Sequence, residues 1–193
     1  MKIKIVLTLL AILSTHHAYS ETTVNTYFNF YDIFPVNQNS LATEMDSKTP
    51  IVKGGLKYRG NTNWKVKWRF YWEITDGLCR VGGVNTELDI TYTVPRLAPG
   101  FKVGENVKKA FDGYYAALMK HELGHGFSGR YAAQDIETTL LGIKGVDNCE
   151  ELKQTANTQA RGLIRKYNQR DIDYDDRTNH GLLEGVDLKH FIQ

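Results

Sequence analysis

The chain has 193 residues, enough for one well-filled globular core and too few for two. Apolar residues make up 41% and charged residues 24% of it, a balance that excludes disordered, collagen-like and coiled-coil classes. The formal charge of +2 comes without any lysine or arginine block, so neither nucleic acid nor an anionic lipid surface is expected as a partner.

Lys2 and Lys4 precede the apolar run Ile5 to Leu13, and small residues close the segment at Ala18-Tyr19-Ser20. That order predicts a secretory signal peptide over residues 1–20 with cleavage after Ser20, leaving 21–193 as one domain. Nine apolar residues are too few to span a bilayer. The protein is therefore expected to be secreted or periplasmic, with no membrane insertion once the signal is removed. The exported part carries as many acids as bases.

Strands come first. Val24, Thr26, Phe28 and Phe30 alternate with more polar residues, Trp64 to Thr75 is an almost unbroken period of two, and Leu88, Ile90, Tyr92 and Val94 repeat it. Turns are expected at Asp76-Gly77 and Gly82-Gly83. Residues 35–53, with two prolines and several Asn and Ser, read as a loop beside a cleft or as a surface excursion. Cys79 and Cys149 are the two cysteines of the chain, and in an oxidising compartment they are expected to form a disulfide; free thiols and zinc ligation are the alternatives.

Past Pro99-Gly100 the period becomes helical. Val107, Phe111, Tyr114 and Leu118 mark the buried stripe of a helix over about 105–127, and Asp147 followed by Glu150 opens a second helix that reaches about 170. The Asp-, Asn- and Gly-rich tail from Arg170 is expected to be loop. Strands followed by helices argue for an α+β fold, an N-terminal antiparallel meander packed on a helical part.

His121-Glu122-Leu123-Gly124-His125 lies on the first of these helices. Residues four apart share a helix face, so two imidazoles can clamp one Zn²⁺, while Glu122, rotated by about 100°, suits a general base. The plainer alternative is a pair of hydrogen-bonded core histidines. A catalytic zinc needs a third protein ligand with a fourth position left for water. The residues after His125 lack the Gly and His of the metzincin pattern. Glu137, Glu150, Glu151 and His180 all remain candidates on residue type.

Tyr174-Asp175-Asp176-Arg177-Thr178-Asn179-His180-Gly181 provides a second motif, Tyr-Asp-x-x-Thr-x-His-Gly. With the helical HELGH and the earlier Gly60-Asn61-Thr62-Asn63-Trp64, it resembles the DUF922 family of predicted secreted zinc-dependent proteases, from about Tyr31 to Val186. The resemblance covers both cysteines and implies that His180 is the third ligand. It leaves Asp175 as an orienting partner or a substitute ligand, and Tyr174 as a hydrogen-bond donor to a developing oxyanion.

The resulting expectation is a zinc metallopeptidase that hydrolyses peptide or protein substrates, with Zn²⁺ on His121, His125 and His180 and Glu122 and Tyr174 in catalysis. Two other readings remain. A secreted binding protein would close the zinc site with a fourth protein ligand such as His190, and a cell-wall peptide amidase would share the metal chemistry.

Overall fold

A computed structural model describes residues 19–192. The export segment read from the sequence lies outside the described residues up to position 18, and the expected cleavage point after Ser20 falls just inside the first strand, β1 (Tyr19–Ile33). There follow a short helix α1 (Ser40–Lys48), a two-rung hairpin β2 (Val52–Lys53) and β3 (Leu56–Lys57), and two long strands β4 (Asn61–Thr75) and β5 (Leu78–Leu97). Two long helices complete the chain, α2 (Glu105–Leu141) and α3 (Cys149–Thr178), ending in 3-10 turns at Leu182–Glu184 and Leu188–His190.

The α+β class holds. The main sheet has the order β1-β5-β4. β4 and β5 form the expected antiparallel hairpin through Asp76-Gly77, both at positive φ, whereas β1 runs parallel to β5. The sheet is thus mixed rather than a pure meander. Alternation reports which face is buried and carries no information on strand direction. No turn forms at Gly82-Gly83, which lies within β5 because the Tyr71 ring covers both glycines where side chains would stand.

Two apolar clusters hold the layers together. One packs Val84, Leu88 and Ile90 of β5 against Ile136 and Leu140 of α2 and Leu152 and Ala156 of α3. The other gathers Ile33, Leu41, Met45 and Val94 around Phe111, Tyr114 and Leu118 of α2. Residues 35–53 therefore contain a packed helix rather than a loop, since Leu41 and Met45 are fully buried.

Both long helices outrun their expected ends. α2 runs on through Gly126 and Gly129, past the end expected near 127; a side chain at 126 would collide with the Tyr92 hydroxyl and one at 129 with Trp64 and Leu88. These glycines let the helix lie close on the sheet. α3 starts one residue later than expected, with Asn148 as N-cap accepting from the Glu150 amide at 2.9 Å. It continues through the acidic tail to Thr178.

Cys79 and Cys149 are bonded, joining the start of β5 to the start of α3 across 70 residues. On the chain-entropy account a loop of that length stabilises the fold by about 4 kcal/mol. Cys79→Ser/Cys149→Ser protein should accordingly lose about that much unfolding free energy in urea titration. An unchanged midpoint would show that the bridge constrains nothing. Among the described residues no helix is long and apolar enough to cross a membrane.

Candidate metal centre

The seam between the two apolar clusters falls at the middle of α2, where His121, Glu122 and His125 are all buried. The two imidazole rings lie 5.0 Å apart and nearly perpendicular. Their Nε2 atoms each come within 3.1 Å of the same oxygen, Oδ1 of Asp175 on α3. Donor atoms of His121, His125 and Asp175 all lie within 4.8 Å of one another, the spacing of groups able to share one small cation.

The far nitrogen of each ring also faces a carboxylate. His121 Nδ1 lies 2.9 Å from Glu184 Oε2, and His125 Nδ1 lies 3.3 Å from Asp171 Oδ1. Carboxylates at both Nδ1 atoms favour the tautomer that turns both Nε2 lone pairs to the common point, as outer partners do in metal sites. Asp171 is itself held by Trp64, whose indole N–H donates to Oδ2 at 2.6 Å. Its Oδ1 is buried without a hydrogen-bond partner, the 3.3 Å contact to His125 being poorly aligned. A buried carboxylate oxygen left this way is costly unless positive charge lies beside it.

The electrostatics follow from this packing. Burial pulls His125 down, but Asp171 and Asp175 outweigh it and lift the imidazole to about 9. His121 is likewise raised, with Asp175 and Glu184 overcoming burial. Burial pushes Asp175 up, yet the two histidines hold it well below the usual carboxylate range. Glu122 moves the other way, because burial dominates and raises its carboxyl although Thr62 opposes the shift. The Thr62 hydroxyl lies 2.6 Å from Glu122 Oε2 and fixes that carboxylate beside the histidines.

The second motif is explained residue by residue. Tyr174 stacks on His121 at 5.0 Å and meets His125 edge-on, a fit that needs Gly124, where any side chain would enter the Tyr174 ring. Thr178 binds the Tyr174 carbonyl at 2.8 Å and receives the Gly181 amide at 3.2 Å. Asn179, His180 and Gly181 all have positive φ, so the chain turns back on α2 at once. A Cβ at Gly181 would stand 2.9 Å from the His121 ring, which together with its φ demands glycine there.

The residues expected at the site fall as follows. Asp175, rather than His180, completes the tight set of donors, because α3 continues past 170 and carries position 175 onto the face opposite His121 and His125. His180 lies beyond the helix cap, half exposed, with Nδ1 3.6 Å from Asp175 Oδ1 and its ring edge against Tyr58. Tyr174 donates its hydroxyl to Glu184 at 2.7 Å; it positions that carboxylate and His121 and does not face the cleft.

The remaining candidates lie elsewhere. Glu137 is bound by Thr86 and Thr22, and Glu150 and Glu151 open α3, some 36 Å along the helix from Asp175. His190 is exposed beside Phe191. Asp171 and Glu184 were not anticipated. The pair Asp171 and Asp175 repeats the i, i+4 spacing of the histidines and is visible once α3 is known to extend this far, whereas nothing in the sequence points to Glu184.

The donor chemistry fits a borderline cation such as Zn²⁺: two imidazoles, one carboxylate, and outer carboxylates on both rings. Asp171→Asn keeps an oxygen for Trp64 and removes the charge behind His125. Zinc affinity should fall roughly 10- to 100-fold in a chelator competition titration; unchanged affinity would remove Asp171 from the site.

His121, Glu122, His125, Asp175 and His180 line an open cleft of about 760 Å³, together with Lys53 and the run Lys57 to Thr62. No curated protein and no solved structure matches the chain. The family model described as "Bacterial protein of unknown function (DUF922)" matches residues 28–181, a span that takes in the sheet, the disulfide, HELGH and the whole Tyr174 to Gly181 motif. The chain belongs to the DUF922 family.

Proposed function

We propose that the protein is a secreted zinc-dependent metallopeptidase whose ion is held by His121, His125 and Asp175. The observation that carries this reading is the convergence of both Nε2 atoms on Asp175 Oδ1, beside a buried glutamate and at the wall of an open cleft. A closed structural site would put protein on every side instead. Zn²⁺ bound there would supply Lewis acidity, polarising a scissile carbonyl and acidifying a water.

The chain's own residues do the rest. Glu122, made more basic by burial and held by Thr62, accepts the proton of the attacking water and returns it to the departing amine. Glu184 keeps the His121 ring from rotating, and Asp171 sets a negative charge behind His125. His180, half exposed on the same cleft, donates a hydrogen bond to the carbonyl oxygen as negative charge grows on it. The export-type N-terminal sequence and the disulfide support action outside the cytoplasm.

The test is zinc content by mass spectrometry, combined with digestion of a mixed peptide pool before chelation, after chelation and after zinc is restored. One zinc per chain with chelator-sensitive cleavage supports the reading. Protein that carries zinc and cuts nothing in the pool refutes the peptidase part.

A further inference from the structure

The lining of the cleft carries both signs of charge. Glu122, Asp171 and Asp175 line it with the histidines, and so do Lys53, Lys57 and Arg59 together with Asp46. Arg59 and Asp46 neutralise each other through two hydrogen bonds of 2.7 and 2.8 Å. Lys53 and Lys57 are left as the cations of the cleft wall without a carboxylate partner among the described residues. Lys57 Nζ donates to the Asp46 backbone carbonyl at 2.7 Å, and Lys53 Nζ sits 5.8 Å from the centre of the Tyr58 ring. An ammonium has three donors, so both retain free ones, and both residues line the cleft.

The lysines sit where they do for a structural reason. Gly54 and Gly55 have φ of 56° and 80°, which folds Lys53-Gly54-Gly55-Leu56-Lys57 into a tight hairpin whose strands pair Val52 with Lys57 and Lys53 with Leu56. The chain then runs directly from Lys57 through Tyr58 and Gly60 to Thr62, the residue that holds Glu122. Five residues of extended chain span at most about 17 Å. With the reach of the lysine side chain, about 6 Å, added, an anion on Lys57 is within about seven extended peptide residues of the general base.

We propose that the cleft selects peptides bearing a carboxylate within about seven residues of the bond to be cut, bound by Lys53 and Lys57. The position of the cut rests on the metallopeptidase reading; the anion subsite does not. An acidic side chain and a free C-terminus both supply such a carboxylate, and the ammonium chemistry is the same for both.

The test is binding, measured by fluorescence anisotropy on full-length, zinc-loaded Glu122→Gln protein so that turnover does not intrude. The probes are labelled octapeptides of one backbone sequence: neutral and amidated, Glu-bearing and amidated, Lys-bearing and amidated, and neutral with a free C-terminus. At least one carboxylate peptide should bind about tenfold more tightly than the neutral one at low salt, an advantage that shrinks in about 0.5 M salt. Whichever acidic peptide gains identifies the source of the charge. The advantage should vanish in Lys53→Gln/Lys57→Gln, persist in Lys53→Arg/Lys57→Arg and reverse towards a Lys-bearing peptide in Lys53→Glu/Lys57→Glu. Equal binding of all probes, or a preference that survives the Gln pair, overturns the proposal. Cleavage by wild type without charge preference would sink this subsite alone, whereas charge-selective binding without cleavage would sink the peptidase reading alone.

Discussion

Glu122→Gln protein should fold, take up zinc and cut peptides roughly 10²- to 10⁴-fold more slowly than wild type, the range contributed by a positioned general base. Glutamine keeps the volume and offers the Thr62 hydroxyl an amide oxygen in place of Oε2, so the loss is confined to proton transfer. The same change removes a buried charge. Because burial raises the Glu122 carboxyl above its ordinary 4.5, the glutamate contributes its full stability below that value and loses it as pH rises through the elevated one. Zinc-free Glu122→Gln should therefore gain on zinc-free wild type in urea titrations as pH is raised above 4.5. A variant that cleaves as fast as wild type would remove Glu122 from the chemistry.

The second large effect separates Asp175 from His180. Asp175→Ala removes the oxygen on which both imidazoles converge, and should weaken zinc by more than the roughly 10- to 100-fold attached to an outer carboxylate. His180→Ala should leave zinc content near one per chain and lower turnover about 10²- to 10³-fold, as loss of an oxyanion donor does. Zinc per chain and single-turnover rates on both proteins decide the matter. If His180→Ala loses the metal and Asp175→Ala keeps it, the three-histidine arrangement implied by the family resemblance is the correct one.

Much of this centre is legible in the sequence, and the parts that are not have identifiable causes. HELGH announces a helix and two candidate ligands because the i, i+4 rule is local. The third member of the donor cluster is not legible by residue type, since Asp171, Asp173, Asp175 and Asp176 crowd the C-terminal end of α3, where the helix dipole disfavours anions and aspartate is a poor helix former. That crowding is why the reading ends the helix at 170. The helix persists because Asp171 and Asp175 find His125 and His121 and Asn179 caps it in the left-handed conformation. The glycines of α2 mislead for a similar reason: whether a glycine ends a helix or admits a neighbour depends on Tyr92 and Trp64, residues distant in sequence.

The disulfide sets a further constraint through α3. Cys149 is pinned to β5 at one end of the helix and Asp175 meets the histidines near the other, with a rigid rod of about 39 Å between them. Deleting one residue from that rod would swing both carboxylates about 100° around its axis, away from the imidazoles. Removing two full turns would keep their bearing while pulling them roughly 10 Å short. Between these two anchors the helix behaves as a gauge of fixed length and phase, so its middle can change in residue type far more freely than in residue number.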